Sequence, residues 1–554
     1  MSTPIYTIGL DFGTLSARAI LIDTADGHLV AEAESPYTHG VVEGTLPDGC
    51  TRLPASWALQ VPQDYLDSME ACVSAVMKQT QIDPAQVKGI ACDFTASTVF
   101  PVDGEGTPLC SKEKYRQIPQ SYAMLWKHHG AEEQARRAEE LAKTWPVDLL
   151  SKYGGKVSSE WFLPKAMQLL EEAPDAAADT EYLLEGADWI PYQLTGHLYR
   201  STCCAGFKRF WSPATGDLPA VFLSQLNPDL PAWLTKVWRG ELRPVWESAG
   251  GLTHKWANRL GLLPGIAVGI GNIDAHSAIL GGGITDADQA LLILGTSACH
   301  MILDKKDCPV PGICGSVADA VMPGYYVYEA GQTCVGDVLA WFVKNNVPEG
   351  YTVEARHRGL SVHQLLTEKA AALQPGQSGL LALDWWNGQR TPYVDFNLTG
   401  LMMGMTLQTK PEEQYRALLE SLAYGTRLIF DTFAQHDLCP KEIVVCGGIA
   451  GKNPLMMQIF ADVLNRPFRI AASTQGSALG AAILAAVAGG VYDSVPAAVT
   501  AMTTPGETIY SPRAKEAAAY DELYQLYHEL GLHFAKANDM MKHLLALRDG
   551  AQQS

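Results

Sequence analysis

Apolar runs broken by glycine set the rhythm of this chain. Residues 6–22 read YTIGLDFGTLSARAILI, an apolar strand that reaches Asp11, turns at Gly13-Thr14 and returns as an alternating strand. Asp26-Gly27 turns the chain into a third strand near residues 28–34. The period then changes: Tyr65, Met69, Cys72, Val73 and Val76 recur at helical spacing within residues 62–80, and a short buried strand follows at 87–92. That strand runs into Asp93-Phe94-Thr95-Ala96-Ser97-Thr98, a loop of small polar residues at a strand's carboxyl end, where open α/β sheets place ligands. Helical patterns occupy residues 131–144, the apolar part of 151–172, and 185–195. Residues 201–212, STCCAGFKRFWS, read as a loop that sets Lys208 among aromatic and small side chains. Such a lysine either snorkels to the surface or contacts a ligand.

At the midpoint, residues 268–284 read VGIGNIDAHSAILGGGI, a buried strand passing through Asn272, Asp274 and His276 into a helix of small apolar residues. Asp274 at that junction reads as a helix cap, or as a base kept ionised by the helix N-terminus. Beyond it the pattern repeats. Residues 290–304, ALLILGTSACHMILD, give strand, Gly295-Thr296-Ser297 turn and strand, echoing GLDFGTLSARAILID at 9–23. The second copy has no acid before its Gly-Thr. An aromatic strand ending at Glu329 leads into a helix with Val338, Leu339, Trp341 and Phe342 inward. A long helix covers 411–436, a buried strand at 442–446 delivers Gly447-Gly448, and Asn453-Pro454 starts another helix with Asn as cap. Residues 476–490 form a helix of small residues suited to packing under a flat ligand, and the last forty residues read as a capping helix, about 511–547.

Composition narrows the class. A chain of 554 residues is too long for one hydrophobic core, which stops growing near ~250–300 residues, so two or more domains are expected. Sixty acidic against 41 basic residues give a net charge of −19, against nucleic-acid binding but compatible with a bound nucleotide. The twelve cysteines show no CxxC spacing, so reduced thiols and a cytoplasmic setting are expected, without a zinc site or a disulfide framework. The first residues, MSTPIYTIGLDFG, lack signal-peptide features, and no apolar run is long enough for a membrane span. His128-His129 within MLWKHH has no Cys or acid at ligand spacing. Asp11 beside the Gly13-Thr14 turn reads either as part of an ordinary hairpin or as an acid holding a hydrated Mg²⁺ beside a phosphate.

Taken in order, GLDFGT, NIDAH, LGTSAC, CGGIAGKNPLMMQIFADVLNRP and GSALGAAILAA resemble the FGGY carbohydrate kinases, within the sugar kinase, actin and heat-shock chaperone superfamily. YGGKVSSEW, DWIPYQLTG, AGFKRFWS, PGICGSV, EAGQTCVGDVLAWF and LDWWNGQRTP resemble the branch that phosphorylates L-ribulose. His128 departs from the Asp many relatives carry there. The resemblance implies an α/β protein with two RNase H-like domains, 1–280 and 281–554, flanking a deep cleft for ATP and sugar. It makes Asp274 the catalytic base and Asp11 the metal-associated acid. Gly13-Thr14 and Gly295-Thr296-Ser297 become the phosphate turns, and Gly447, Gly448 and Asn453 the adenine segment. The implied activity is Mg²⁺- and ATP-dependent formation of L-ribulose 5-phosphate in arabinose use, with a homodimer as one assembly state. Other pentuloses (D-ribulose, L- or D-xylulose) and a non-transferring binding ATPase of the same fold are the alternatives. Sugar recognition is expected from Ala96, Lys208, Asp274 and Glu329. For Lys208 and Glu329 the competing reading is a structural ion pair.

Overall fold

The computed structural model describes residues 3–553. Two seven-stranded sheets carry the molecule, and their central strands repeat one plan. In the first, Tyr6–Phe12 pairs antiparallel with Ser16–Asp23, which pairs antiparallel with Leu29–Pro36. On its other side Tyr6–Phe12 runs parallel to Val87–Phe94, and Ala267–Gly269 follows parallel again. In the second, Gln289–Leu294 pairs antiparallel with Ala298–Asp304, which pairs with Tyr326–Gln332; Glu442–Cys446 and Phe468–Ile470 extend it in parallel. The echo between residues 9–23 and 290–304 is therefore a structural duplication.

The helix Pro62–Thr80 spans the residues its periodicity predicts, with Pro at its start, Asp64 in its first turn and Gln81 left-handed past its end. Tyr65, Met69, Cys72, Val73 and Val76 are all buried against the first sheet. The opposite face of that sheet is covered by Gly476–Ala488, a helix from the far half of the chain. The helix approaches so closely that a Cβ on Gly9 would stand 1.9 Å from the Ala478 carbonyl oxygen, and one on Gly89 2.2 Å from that of Ala485. The small residues of this helix thus serve backbone contact with a sheet and with the helix Asp274–Gly281, a different use from the bed for a flat ligand expected above.

Three further differences from the sequence reading have local causes. Lys208 ends a helix, Thr202–Lys208, where a loop was expected; Gly206 inside it faces the Val317 side chain, which a Cβ would strike. Trp341 is 43% exposed and lies beside Trp386, its ring centroid 6.0 Å away, rather than inward. The C-terminal helical region is two helices, Ala514–Leu532 and Met540–Gln553, separated by a π turn at His533–Ala537 and by Asn538, whose side chain accepts from the Met540 amide.

Candidate functional site

Asp274 opens the helix Asp274–Gly281 as its first residue. The cap position belongs to Ile273, so Asp274 is not the helix cap. Its Oδ1 accepts from the Ala275 amide at 2.6 Å, which leaves Oδ2 free to face the cleft. Burial first, and then the charge of Asp11, push this carboxyl up to about 7. The side chain keeps some contact with solvent while protein surrounds most of it.

Asp11 lies one residue before the end of its strand, nearly buried, with Arg18 Nη1 3.1 Å away across the hairpin. Its parallel neighbour in register is Asp93, which in turn lies in register with Asn272. Asp93 is fully buried, and neither of its carboxylate oxygens has a hydrogen-bond donor. Burial, then the charges of Asp11 and Asp274, raise its pKa far above the usual carboxylate range. Three carboxyl groups therefore converge at the carboxyl edge of the first sheet. Among the described residues no group of three donors is close enough to hold a metal directly. The set fits a hydrated Mg²⁺ carried on nucleotide phosphates, which needs only one or two protein carboxylates.

The sequence reading passed over Asp93, although it ends an apolar strand just as Asp11 does. Arg18 was equally legible: a turn centred on Thr14 sets it opposite Asp11.

The two Gly-Thr turns are related but differ by one residue, Phe12 pairing with Ala17 across the first and Leu294 with Ala298 across the second. The Gly13 amide donates to the Ser16 carbonyl and the Gly295 amide to that of Ser297, at 3.0 and 2.9 Å. Trp126 Nε1 donates to the Thr14 hydroxyl at 3.1 Å. The amides of Val335 and Gly336, at the start of the helix Gly336–Asn346, donate to the carbonyls of Thr296 and Gly295. Gly447 has φ +100°, and a Cβ there would meet the Leu294 carbonyl oxygen at 2.2 Å, so this loop folds directly onto the second turn. Gly448 is exposed beside it. Asn453 caps the helix Pro454–Leu464, its side-chain oxygen accepting from the Met456 amide at 3.0 Å. That oxygen is occupied by the cap.

Lys208 Nζ and Glu329 Oε2 are 3.3 Å apart, at 8% and 13% side-chain exposure, so the ion pair weighed above is present. His276 Nε2 lies 3.3 Å from the same oxygen, and its Nδ1 lies 3.2 Å from the Cys203 thiol. Burial alone would raise the Glu329 pKa, yet Lys208 and then His276 hold it well below its usual range. The pair retains capacity: Lys208 uses one of three donors, and Glu329 Oε1 has no partner among the described residues.

Ala96 sits in the loop Thr95–Thr98 and is pinned from beneath. Lys165, fully buried, donates to the carbonyls of Ser97, Met124 and Leu125 at 2.7, 3.2 and 2.8 Å. Glu185 Oε2 accepts from the Ser97 amide at 3.1 Å. Ser97 is left-handed, with φ +52°. Burial brings Lys165 down to about 7 and Glu185 up to about 8. Sequence patterning does not single out either residue, because their partners lie 40 to 88 positions away. His128, buried against Trp57, is brought down to about 3 by burial and lies 3.0 Å from the Gln168 side chain.

Asp274 feels the charges of both Asp11 and Glu329, and the Cys299 thiol, two residues past Ser297, feels Asp274. In the chain Asp274 lies between Asn272, in register with Asp93, and His276, against Glu329, and so joins the acidic edge to the Lys208–Glu329 pair.

Comparison with known proteins gives the family. Residues 6–281 match the N-terminal domain of the FGGY family of carbohydrate kinases, and residues 290–489 match its C-terminal domain. A ribulokinase of Bacillus licheniformis is 46% identical over 97% of this chain and 98% of its own length. One of Halalkalibacterium halodurans is 47% identical over 99% and 98%. A xylulose kinase structure from Rhodospirillum rubrum superposes with a TM-score of 0.77 at 24% identity, covering 96% of this chain and 99% of that one.

Proposed function

Because this chain belongs to the FGGY family of carbohydrate kinases, we propose that it transfers the γ-phosphoryl group of ATP to the 5-hydroxyl of L-ribulose, in the use of L-arabinose. The observation that carries the reading is the position of Asp274, one carboxylate oxygen held and the other free, between the acidic strand ends and the Lys208–Glu329 pair. Relatives named ribulokinase along the full length support the choice of sugar.

Asp274 Oδ2 takes the proton of the 5-hydroxyl as that oxygen forms its bond to the γ-phosphorus. The bond from phosphorus to the bridging oxygen breaks in line, and ADP leaves with the electron pair. A carboxyl with a pKa near 7 suits that transfer at neutral pH, since it neither holds nor refuses the proton strongly. The amides of Thr14, Thr296 and Ser297 face phosphate, those of Gly13 and Gly295 being held by the Ser16 and Ser297 carbonyls, and Gly447-Gly448 lies against adenine. Asn453 orders that segment by capping its helix. Asp11 and Asp93 would hold a hydrated Mg²⁺ here, and when bound it would supply charge neutralisation on the phosphates. Lys208 donates to a sugar oxygen and Glu329 Oε1 accepts from a sugar hydroxyl, while Ala96 keeps the loop wall thin enough for the sugar to reach the backbone.

All twelve cysteines are free, which favours a reducing, cytoplasmic setting; among the described residues no helix is long and apolar enough to cross a membrane. A coupled ADP-release assay over the four 2-ketopentoses, glycerol and xylitol tests the reading. The expected result is the highest kcat/KM with L-ribulose and a 5-phosphate product. A preference for another ketopentose reassigns the sugar, and ATP turnover without sugar consumption overturns transfer.

A further inference from the structure

A cavity of about 280 Å³ shares no residue with the sugar and nucleotide contacts assigned above. Three helices wall it: Phe162 opens Phe162–Glu172, Leu223 lies in Ala220–Leu226, and Leu234 and Trp238 lie within and just past Leu230–Val237. These four side chains are buried, so most of the wall is apolar. The volume is close to the ~300 Å³ at which small-molecule pockets begin. One cation faces into it. Arg209 is 9% exposed, with its guanidinium carbon 3.7 Å from the centroid of the Trp238 ring; that of Arg200 lies 4.1 Å from the same centroid.

The pairing of that cation is thin. Arg209 Nη1 donates to Asp217 Oδ1, and the guanidinium has no other hydrogen-bond partner among the described residues, although it carries five N–H donors. Asp217 also lines the cavity, but its side chain is 48% exposed. It follows a small turn in which Ser212 and Gly216 each donate an amide to the other's carbonyl, at 3.2 and 2.8 Å. Burial, offset only in part by Asp217, brings Arg209 down to about 10. A nearly buried guanidinium over an apolar wall, held by one carboxylate that can swing into water, suits a ligand that supplies both a carboxylate and an apolar body.

We propose that this cavity is a second ligand site, which takes a small apolar monocarboxylate and is coupled to the sugar site. The ligand carboxylate replaces Asp217 on Arg209, keeping the cation paired, and the apolar body packs on Phe162, Leu223 and Leu234. The coupling has a physical route, because the cavity touches both helices that order the expected sugar contacts. Arg209 follows Lys208 directly and closes the helix Thr202–Lys208, its amide donating to the Ala205 carbonyl at 3.1 Å. Phe162 opens the helix whose Lys165 holds the Ser97 carbonyl, next to Ala96. A ligand that bridges Arg209 and Phe162 ties these helices together, so less ordering remains for the sugar to impose. Occupancy therefore lowers the sugar KM. The coupling rests on the kinase reading above; binding does not.

Calorimetric titration of the full-length protein with benzoate, its neutral isostere benzamide, and acetate, a carboxylate without the apolar body, tests the site. Wild type is expected to bind benzoate with a Kd of about 1 mM or tighter, and both other probes at least about tenfold more weakly. Arg209→Met should abolish benzoate binding. Asp217→Asn should tighten it by about tenfold, because the competing carboxylate is gone, and a gain of affinity cannot come from a poorly folded preparation. In steady-state kinetics, saturating benzoate should lower the L-ribulose KM about fivefold in wild type, leave the ATP KM alone, and do nothing in Arg209→Met. Absent benzoate binding, equal affinity in wild type and both variants, or benzamide binding as tightly as benzoate overturns the site. An unchanged or raised sugar KM with benzoate bound overturns the coupling. If benzoate binds with the expected dependence on Arg209 and Asp217 while no sugar is phosphorylated, the kinase reading fails and the site stands.

Discussion

The two sheets share strand order and strand direction, and each centres on a Gly-Thr hairpin, yet the residues at equivalent places differ in kind. In the first, the strand position two before the turn glycine is Asp11 and its parallel neighbour is Asp93. In the second, the same positions are Ile293 and Cys446. After the neighbouring strand, the first sheet has the pinned loop with Ala96, and the second has Gly447-Gly448. One backbone plan thus gives an edge dense in carboxyl groups and an edge without charge. The first suits a metal-associated proton transfer, the second close approach of backbone to a nucleotide. What the duplication teaches is that the fold supplies two turns, and a pair of side chains decides which chemistry each one hosts.

Asp274→Asn should disturb the acidic edge most, lowering kcat by ~10²–10⁴-fold, the usual contribution of a general base, while both ligands still bind. Single-turnover kinetics with calorimetric binding check this, and near-normal turnover would return Asp274 to a structural role.

A reciprocal pair then sharpens the comparison between equivalent loops. Ala96→Leu should raise the sugar KM by about tenfold through crowding and leave the ATP KM alone. Gly447→Ala, strained by its positive φ and by the Leu294 carbonyl, should raise the ATP KM about as much, leave the sugar KM alone and lower the Tm. If both variants affect the same substrate, the division of labour between the edges is wrong.

Smaller again is Asn453→Ala, expected to cost about 1 kcal/mol of stability as a lost cap, with little change in ATP KM. A tenfold rise in ATP KM at unchanged stability would instead give Asn453 a direct nucleotide contact.

The smallest effect concerns stability and pH. The Asp274 pKa is raised in the folded state, so its protonated form is favoured there. The carboxyl therefore costs no stability below its ordinary carboxylate pKa, and an increasing amount as pH rises toward and through about 7. Asp274→Asn should accordingly melt slightly higher than wild type at pH 8, and the difference should vanish near pH 4. A difference independent of pH would contradict the raised pKa.

Much of this was legible in the sequence because its signals are local. The Gly-Thr turns, the helix Pro62–Thr80 and the Asn453 cap depend on residues within a few positions of one another. Asp274, Lys208 and Glu329 stood out as charges in apolar or small surroundings. Lys165 and Glu185 did not, because the groups that give them meaning lie far away in the chain, on the loop that holds Ser97. Periodicity describes a residue's own element; it carries no information on which distant charge shares the cleft. The helix Thr202–Lys208 was hidden for a related reason. Its glycine lowers helix propensity, and only contact with Val317 explains it.

The account's central claim is that Asp274 removes the sugar proton. Its most direct test is the pH dependence of kcat/KM for L-ribulose in wild type and in Asp274→Asn. The predicted wild-type profile falls on the acid side with unit slope, as the carboxyl whose pKa is about 7 takes up a proton, and the residual activity of the variant lacks that limb. The same acid limb in both proteins would contradict the claim.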